Sequence, residues 1–421
     1  MDDPVHDATG LGGVGVRHAG PSPPVHTPVR DVIAGRESVY GPGPAPPIAV
    51  SRLSGMLGGM SRSSSVPLSL GPVAEERERP VPVAGMSAAS VAPPLPSAHG
   101  LHCVQVAPLG DAPPPLRSHT ASSDAGCDAW VFGGAGPNGC QQALYQFDAD
   151  THMWTRVNAL GTLPSPRRAH SSVLVEGRLY VFGGGEGSRY MNDLHVFDTV
   201  TQTWECPPVK GTPPPARRAH SCCHFHGRLY VFGGSHRSGT LNDLYELDIR
   251  NVDALVWKRL QTNGPLPASR GYHTATMVHD TMIVIGGGNG QVAFHDVWVL
   301  NLNTLSWQQL ALNVRYRMLG HSAVRVGLVI MVFGGHNNDG YTSGLLFFDL
   351  VGMQWEERPV RGDAITGRGS HQAWFHDNRL YIHGGFDGSR SLGELFVLDL
   401  AMNAYLSAAA LPATTGVGQV M

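Results

Sequence analysis

The sequence predicts an all-β fold: a six-bladed β-propeller over residues 98–411, between a disordered tail of residues 1–97 and a short C-terminal tail of residues 412–421. Two observations predict this fold. The stretch RRAHSSVLVEGRLYVFGG at 167–184 returns as RRAHSCCHFHGRLYVFGG at 217–234, and a glycine pair ends an apolar run six times. A repeat period of about 50 residues is typical of propellers and other repeat architectures.

The tail of residues 1–97 differs in composition from the rest of the chain. It holds 16 of the 32 prolines and hardly an aromatic residue, so it cannot bury enough apolar surface to offset its ordering entropy. We therefore expect it to be disordered. Two interpretations stay open for the serines beside Arg62 in the stretch 61–70: solvated low-complexity sequence, or a phosphorylated docking segment.

Composition and charge argue against several classes of protein. The formal net charge of -3 gives no general attraction to nucleic acid or anionic membranes, so we expect a protein partner that is recognised locally. The longest apolar stretch, residues 326–333, is far shorter than the roughly 20 residues of a membrane helix, and the acidic start lacks the apolar core of a secretory signal. Six cysteines without regular spacing predict no disulfide framework, which favours the cytoplasm or the nucleus.

The repeat extends well beyond the glycine pairs. An Asp or Asn follows 14 residues after the second glycine of each pair, and an aromatic residue stands six residues later, or nine in the third repeat. A histidine precedes the first glycine by 13 residues, or by 14 in the first repeat. So many shared offsets indicate six copies of one structural unit. In chain order, the glycine pairs lie at 133–134, 183–184, 233–234, 286–287, 334–335 and 384–385; the aromatic residues are Trp154, Trp204, Trp257, Trp307, Trp355 and Tyr405; and the histidines are His119, His170, His220, His273, His321 and His371.

Each unit is predicted to contain four short strands joined by turns. In the second repeat they run through SSVLV, RLYVF, DLHVF and the segment around Trp204, with Gly- and Asp-containing turns between them. The second strand is apolar almost throughout, as a strand covered on both faces should be. Radial stacking of six such sheets covers both faces and leaves only short edges. We place the tryptophan on the outermost strand, where the wedge between blades is widest.

The combined pattern resembles the kelch motif. The resemblance is carried by VFGG, by the Asp-Leu or Glu-Leu pair that follows it at residues 193–194, 243–244 and 394–395, and by the spaced tryptophan. It implies a propeller of six blades and a scaffolding role. It also implies that ligands are captured at a mouth formed by the turns between fourth and first strands together with the loops after the glycine pairs.

One strand is left over at the start of the repeats. Residues 102–119 align without gaps on residues 153–170, so residues 102–107 look like a fourth strand without its blade, with Cys103 at the place of Trp154. Either this strand completes the last blade as a clasp between the chain ends, or the strand around Tyr405 does so. We favour the N-terminal clasp. No seventh glycine pair exists to build a seventh blade.

No catalytic residue, metal ligand or cofactor is predicted. A catalytic site needs different groups in different roles, whereas six equivalent histidines are typical of a repeated packing or hydrogen-bonding unit. The stretch CCHFH at 222–226 places Cys222, His224 and His226 on one face of a strand. A zinc site would need a fourth ligand, and the stretch replaces SSVLV of the preceding repeat, so we interpret it as inner-strand packing.

Arginines and loop residues are the candidate binding groups. Six arginines lie just ahead of the six histidines, and together at the mouth they would bind a carboxylate or acidic peptide by bidentate, charge-assisted hydrogen bonds. Ion pairing between blades is the alternative for them. The loops after the glycine pairs differ between repeats, and aromatic and Arg side chains dominate interface energetics. The predicted partner-binding residues are Arg117, Arg168, Arg218, Arg270, Arg317 and Arg368, together with Tyr190, His236, Arg237, Phe294, His336, Tyr341, Phe386 and Arg390.

Two functions follow from these residues. We predict a non-enzymatic, monomeric interaction module, a scaffold or adaptor that binds an extended acidic segment or a chain terminus of a partner protein. The rival is a sugar-handling enzyme of the propeller mutarotase type, which would combine Arg and His at the channel mouth with a loop carboxylate, Glu186, Asp339 or Asp387. An enzyme predicts a deep pocket with one perturbed acid, and an interaction module predicts a broad, shallow basin.

Overall fold

The computed structural model describes residues 101–123, 126–312, 314–357 and 360–400. These residues form strands and turns alone, so no helix among them could cross a membrane. Six sheets of four or five strands form six blades, and the first strand of each blade contacts the first strand of the next until blade 6 meets blade 1. The predicted fold class and blade number are confirmed. The predicted tails and Tyr405 lie outside the described residues.

The strands are short, and most hold five residues or fewer. The first sixteen are β1 (Leu101–Val106), β2 (Leu109–Gly110), β3 (Thr120–Ser123), β4 (Asp128–Phe132), β5 (Ala135–Gly136), β6 (Gly139–Cys140), β7 (Leu144–Asp148), β8 (Met153–Arg156), β9 (Leu160–Gly161), β10 (Ser171–Val175), β11 (Arg178–Phe182), β12 (Gly185–Glu186), β13 (Arg189–Tyr190), β14 (Leu194–Asp198), β15 (Thr203–Glu205) and β16 (Lys210–Gly211). The others are β17 (Ser221–Phe225), β18 (Arg228–His236), β19 (Gly239–Asp248), β20 (Val256–Leu260), β21 (Thr274–Val278), β22 (Thr281–Ile285), β23 (Val297–Asn301), β24 (Ser306–Gln309), β25 (Ser322–Val326), β26 (Val329–Phe333), β27 (Leu345–Asp349), β28 (Gln354–Glu357), β29 (Val360–Gly362), β30 (Gln372–His376), β31 (Arg379–Phe386) and β32 (Ser391–Asp399).

Each blade holds four antiparallel strands, numbered here from the central axis outwards. Blade 1 is β3-β4-β7-β8, blade 2 is β10-β11-β14-β15, blade 3 is β17-β18-β19-β20, blade 4 is β21-β22-β23-β24, blade 5 is β25-β26-β27-β28, and blade 6 is β30-β31-β32-β1. The pairs β5-β6 and β12-β13 are small hairpins in the loops after the glycine pairs of blades 1 and 2. We call the face that carries these loops the mouth.

The second strands pack to both sides, as their continuous apolar sequence predicts. In β11, Leu179 and Val181 belong to the buried cluster shared with blade 1, while Tyr180 and Phe182 belong to the cluster shared with blade 3. Because side chains alternate along a strand, one apolar strand supplies both interfaces of its blade. Six buried clusters of this kind fill the six interfaces between blades.

Tryptophans of the outermost strands pack blades 1–5 against the preceding blade. The ring of Trp204 lies 5.1 Å from that of Phe132, and the ring of Trp257 lies 5.0 Å from that of Phe182. Trp204 is 1% exposed and Trp257 is 4% exposed, so both rings belong to the core of the interface. The wedge between two sheets widens outwards, and a large ring there restores close packing.

The N-terminal strand closes the ring of blades. Strand β1 pairs antiparallel with β32, and Cys103 stands opposite Leu398 as Trp154 stands opposite Phe147 in blade 1. The predicted N-terminal clasp is therefore confirmed. Cys103 fills the tryptophan position with a fully buried thiol, and burial raises its pKa to about 11.

Both ends of the described chain lie away from the mouth. Strand β32 starts at the loop after its glycine pair and ends at Asp399, where it pairs with His102 near the start of β1. The chain therefore enters the propeller at residue 101 and leaves it at residue 400 on the face opposite to the mouth.

Short connecting segments cover the outer edges of four blades. Strands β2, β9, β16 and β29 pair in parallel with β8, β15, β20 and β1, the outermost strands of blades 1, 2, 3 and 6. We call these segments straps. Each strap contains a glycine that lies against the backbone of the edge strand. A covered edge cannot pair with another chain, which limits aggregation.

Replacing Gly211 of β16 by alanine is expected to destabilise the propeller by about 2–4 kcal/mol. Gly211 has a φ of 83°, and a Cβ there would lie 2.1 Å from the Trp257 carbonyl oxygen. Urea unfolding measures the loss. Gly344→Ala is the matched control, because Gly344 has no positive φ and a Cβ there meets no atom within 4 Å. Equal losses in the two variants would show that the strap contact is unimportant.

Candidate functional site

Six buried histidines join the blades around the central axis. In five interfaces the histidine Nε2 lies 2.8–2.9 Å from a Ser or Thr hydroxyl of the preceding blade, as in the pair Ser171 and His220. Burial lowers the pKa of these imidazoles, to about 3 for His220, His321 and His371, so they are neutral at pH 7. The predicted repeated hydrogen-bonding unit is confirmed.

The sixth interface, between blades 6 and 1, differs from the others. Blade 6 carries Gln372 where the other blades carry Ser or Thr, and His383 of β31 takes over the contact. Nδ1 of His383 lies 3.2 Å from Nε2 of His119, and each side chain is 1% exposed. Burial and the nearby Arg368 lower the pKa of His383 to about 3. One hydrogen bond thus joins two neutral imidazoles here.

A closed ring of backbone hydrogen bonds surrounds the axis, one residue before the histidines. In each blade this residue has a φ of 52–65°. Its N–H donates to the carbonyl of the equivalent residue in the preceding blade over 2.6–2.9 Å, and the sixth bond, from Ser118 to Ser370, closes the ring. The ring residues are Ser118, Ala169, Ala219, Tyr272, Gly320 and Ser370.

The central channel below this ring is narrow and lined by small polar groups. Its cavity measures about 220 Å³, and the ring residues, the six histidines and the first two residues of each inner strand line it. No Asp, Glu or Arg is among these lining residues. The candidate carboxylates Glu186, Asp339 and Asp387 lie instead in the loops after the glycine pairs, at the mouth, where the sugar-handling alternative places them.

The predicted arginines fall into different sets, which the sequence analysis did not separate. Arg270 and Arg368 lie three residues before their histidines, like Arg167 and Arg217, and all four are fully buried. Each guanidinium donates to a carboxylate of its own blade and to the carbonyl of the first glycine in the pair. The prediction for Arg270 and Arg368 is corrected: their buried side chains cannot reach a ligand at the mouth.

A constant spacing in the sequence is the signal that identifies these buried ion pairs. The four pairs are Arg167 with Asp193, Arg217 with Asp243, Arg270 with Asp296 and Arg368 with Glu394, each 26 residues apart. Blades 1 and 5 replace the arginine with Leu116 and Met318, and the acid with Ala143 and Gly344. Arginine and acid are present together or absent together, so neither charge is buried alone in the described blades.

Arg117, Arg168 and Arg218 form the second set and lie at the mouth. Each stands one residue before the ring and pairs through its backbone with the residue that follows the glycine pair of its own blade. Among the described residues, no carboxylate or hydrogen-bond acceptor contacts the three guanidiniums, and Nε of Arg117 and Arg218 is buried without a partner. Burial and the neighbouring Arg168 lower the pKa of Arg117.

Aromatic rings hold two of these arginines in place. The guanidinium of Arg117 lies 4.2 Å from the ring centroid of Phe386, and that of Arg218 lies 4.7 Å from the ring centroid of Tyr190. Such stacking fixes the planar group while leaving its N–H donors unused.

Arg317 belongs to neither set. It lies four residues before His321, is exposed, and donates from Nη1 to the Ala293 carbonyl over 3.1 Å. The mouth position of blade 5, which corresponds to that of Arg168 in blade 2, is occupied by Leu319. Arg317 therefore does not occupy the mouth position that Arg117, Arg168 and Arg218 share.

Six of the predicted loop residues lie in two groups at the mouth. Tyr190 stands beside His236 with 6.4 Å between ring centroids, and Arg237 donates to the Ser188 carbonyl, which ties the loops of blades 2 and 3 together. On the opposite side, Tyr341 lies edge-on to its two neighbours. The second group is His336, Tyr341 and Phe386, with centroids 4.9 Å and 5.8 Å apart.

The other two predicted loop residues contact charged groups. Phe294 lies 4.7 Å from the buried guanidinium of Arg270 and covers that ion pair. Arg390 is exposed and lies 3.7 Å from a carboxylate oxygen of Asp387 and 3.8 Å from one of Glu394. Whether any of these loop residues contacts a partner remains a prediction.

Tyr272 is the mouth residue that the sequence analysis missed. It belongs to the backbone ring, and it is 37% exposed above the channel. The ring residues of the other blades are Ser, Ala or Gly, so a tyrosine directly before His273 is the signal that could have identified it. No hydrogen-bond partner for its hydroxyl is found among the described residues.

Residues 222–225 of the stretch CCHFH lie on β17, whereas His226 lies in the turn that follows and does not share the strand face predicted for it. The thiols of this stretch are not poised to bind a metal. Burial raises the pKa of Cys223 to about 12, and Nε2 of His224 accepts the Gly227 N–H. The interpretation as inner-strand packing is confirmed, since Cys223 belongs to the cluster between blades 3 and 4. Elsewhere in the described residues, Cys127, Asp148 and Asp150 lie close together, but Asp148 already accepts backbone N–H groups of its own turn.

These features define a six-bladed repeat propeller with a sequence-variable mouth on one face. The family model described as the KLHDC2/KLHL20/DRC7 Kelch-repeats domain matches residues 118–317, and the one described as the Attractin/LZTR1 beta-propeller matches residues 251–403. Kelch-repeat and β-propeller family models thus match successive parts of the propeller, and the predicted resemblance to the kelch-repeat β-propellers is confirmed. Propellers of this family typically mediate protein interactions.

Curated relatives share part of the propeller. Acyl-CoA-binding domain-containing protein 4 of Arabidopsis thaliana is 28% identical over 155 residues, 36% of this chain and 23% of that protein. The Leucine-zipper-like transcriptional regulator 1 homolog of Drosophila melanogaster is 28% identical over 145 residues, 32% of this chain and 15% of that protein. Kelch domain-containing protein 3 of Bos taurus is 32% identical over 152 residues, 32% of this chain and 39% of that protein. The chain thus spans less than half of each relative.

Proposed function

We propose that this protein is a non-enzymatic interaction module that binds an acidic segment or a chain terminus of a partner protein at the mouth. The observation that carries the proposal is the group of three unpaired arginines, Arg117, Arg168 and Arg218. They occupy equivalent positions on three consecutive blades, and no described acid neutralises them.

The contrast with the buried arginines supports this proposal. Each of the four buried guanidiniums has its own acid at hydrogen-bonding distance, 26 residues along the chain. The three mouth guanidiniums are half-buried and lack such an acid. A partly desolvated cation without a counter-charge gains more from an incoming carboxylate than an exposed one, because solvent screens it less.

The position of the chain ends favours a scaffold or adaptor. Residues 101 and 400 lie on the face opposite to the mouth, so the segment of residues 1–100 is attached away from the proposed ligand site. All six cysteines are free, which supports a reducing compartment such as the cytoplasm or the nucleus.

Replacing the three mouth arginines is expected to weaken partner binding at least 100-fold, since a hydrogen bond to a charged group contributes about 1.5–3 kcal/mol. The variant combines Arg117→Leu, Arg168→Gly and Arg218→Gly. Blades 4–6 carry Gly271, Leu319 and Gly369 at this position, so the backbone accepts these residues. The full chain and the variant are immobilised and exposed to cell extract, and retained proteins are compared.

The melting temperatures of the two proteins must agree for this comparison to count. A protein that the wild type retains and the variant loses supports binding at the mouth. If both retain the same proteins, the mouth arginines do not bind the partner, and the proposal fails.

A further inference from the structure

Blade 5 is the blade whose outer edge no described segment covers. In the four straps, and in the segment whose Asn263 bridges Ser306 of blade 4, a glycine stands seven residues after the outer-strand tryptophan or Cys103 of the preceding blade. These glycines, with φ values of 72–89°, are Gly110, Gly161, Gly211, Gly264 and Gly362. A Cβ on any of them would lie 2.1–2.8 Å from a carbonyl oxygen of the edge strand. Val314 holds this place before blade 5, and a β-branched residue fits neither that conformation nor that contact.

Strand β28, the outermost strand of blade 5, shows the consequences of the open edge. No described strand or isolated bridge pairs with the side of β28 that faces away from β27. Trp355 is only partly buried, whereas the outer-strand tryptophans of blades 1–4 are 1–4% exposed. Its indole Nε1 is buried without an acceptor among the described residues. An uncovered edge beside an orphaned donor is a site for one more strand.

The base of blade 5, on the face opposite to the mouth, carries exposed apolar side chains. Leu328 lies in the turn between β25 and β26 and is 59% exposed, and Val351 lies in the turn between β27 and β28 and is 72% exposed. The Leu350 N–H donates to the Leu328 carbonyl, so the two turns are neighbours. The residues that accept the equivalent bond in the other blades are Cys127, Gly177, Gly227, Asp280 and Asn378. A large apolar residue at this place is therefore peculiar to blade 5.

The described chain leaves the propeller beside these turns. Leu400 follows β32 and packs against the cluster between blades 5 and 6, together with Val326 and Val329, which flank the turn of Leu328. From that turn to the edge of β28 is about three strand spacings, on the order of 15 Å, which roughly five extended residues span. The segment that follows residue 400 is therefore long enough to reach the open edge.

Residues 401–411, AMNAYLSAAAL, have the composition that an added strand needs. Tyr405 stands at the aromatic position of the repeat, but β1 occupies the place that its strand would take in blade 6. The segment contains no proline and no charged residue, so each of its backbone N–H groups can join a ladder. Near the other end of the described chain, residues 93–96 hold three prolines, which cannot donate.

We propose that residues 401–411 run over Leu328 and Val351 and pair in parallel with β28, as the strap that blade 5 lacks. The pairing supplies backbone partners to the open edge and covers the Trp355 ring. A second copy of the chain suits this edge less well, because two β28 strands side by side would bring together Glu356 and Glu357 of both copies. The inference is independent of the proposed function, since the mouth takes no part in it.

Hydrogen exchange of the full chain tests the pairing. The Trp355 N–H is equivalent to that of Trp307, which donates to the Asn263 carbonyl over 2.9 Å in blade 4. Ala404→Pro combined with Ser407→Pro removes one N–H from each side of the segment, so the ladder is broken in either register. Ala413→Pro combined with Gly416→Pro is the matched control, because it places the same change beyond the segment.

The Trp355 amide, resolved by electron-transfer fragmentation, should exchange at least about tenfold faster in the first variant than in the wild type and in the control. The Trp307 amide should exchange equally in all three proteins. Equal exchange of the Trp355 amide in the wild type and the first variant would show that residues 401–411 do not cover β28.

Photochemical cross-linking locates the segment directly. Tyr405 is replaced by p-benzoylphenylalanine in the full chain, and an equal mixture of ¹⁵N-labelled and unlabelled protein is irradiated and digested for mass spectrometry. Cross-links to residues 350–357 within one isotopic form are expected. Cross-links between the two isotopic forms would assign the edge to a second copy and overturn the proposal, as would the lack of any cross-link to blade 5.

Discussion

Lowering the pH from 7.5 to 5.5 is expected to destabilise the propeller by on the order of 10 kcal/mol and to unfold it. The cause is the set of imidazoles held neutral in the interior. They are the six histidines of the repeat and His383, and burial lowers the pKa of all of them, to about 3 for His220, His321, His371 and His383.

The sign of this effect follows from proton binding in the two states. An exposed histidine has a pKa of about 6.5, so the unfolded chain takes up protons below that pH while the folded chain does not. Stability is complete above about pH 6.5 and is lost as the pH falls toward 3, by about 1.4 kcal/mol per histidine and pH unit. Exposed carboxylates titrate near pH 4, below the window in which we expect unfolding.

Urea unfolding at pH 7.5, 6.5 and 5.5, together with potentiometric proton uptake on unfolding, measures this dependence. His383→Phe is the matched variant, because blades 1, 2, 3 and 5 carry phenylalanine at this position. It removes one buried imidazole, so the proton uptake should fall by about one and the pH slope should become shallower. Equal stability at pH 7.5 and 5.5 would show that these histidines are protonated in the folded protein.

Replacing Asp243 by alanine is expected to destabilise the propeller by about 3–5 kcal/mol. The carboxylate accepts two hydrogen bonds from the Arg217 guanidinium, over 2.7 Å and 3.0 Å, and the arginine side chain is 0% exposed. Without the acid, the guanidinium keeps its bonds to the carbonyls of Gly233 and Pro215 but remains a buried, uncompensated charge.

The chain itself provides the rescue for this variant. Blade 1 has Leu116 and Ala143 at the two positions, so Arg217→Leu combined with Asp243→Ala reproduces an arrangement that already folds. The double variant should recover most of the loss, and the double-mutant cycle should give a coupling of about 2–4 kcal/mol. Urea unfolding of the wild type, both single variants and the double variant measures it. A double variant no more stable than Asp243→Ala would show that the carboxylate acts through contacts other than Arg217.

Much of the fold could be predicted because the residues that define each strand and turn recur at nearly the same spacing in every repeat. The six glycine pairs gave the blade number, and the gapless match of residues 102–119 to residues 153–170 located the clasp strand. Cys103 was correctly placed at a tryptophan position although it shares neither size nor chemistry with tryptophan. These predictions depend on sequence order along each unit, which the propeller preserves from blade to blade.

The binding residues were harder to predict because a shift of one residue changes what a side chain faces. Arg168 lies two residues before its histidine and reaches the mouth, whereas Arg270 lies three residues before its own and is buried against Asp296. Successive side chains along extended backbone point in opposite directions, so the same residue type one position apart has the opposite environment. Grouping both arginines as one series hid this difference.

The sequence by itself determined the all-β propeller, its six blades, the strand order and the N-terminal closure, because each depends on residues within one unit or on the alignment of units. Only the tertiary structure decided that Arg117, Arg168 and Arg218 reach the mouth without an acid partner among the described residues, that Tyr272 stands exposed above a closed backbone ring, and that Phe386 of blade 6 stacks on Arg117 of blade 1. Those properties arise where six units converge on one axis, which brings together residues as distant in sequence as Arg117 and Phe386. Such proximity results from the closure of the circle of six blades. No spacing within a single repeat indicates it.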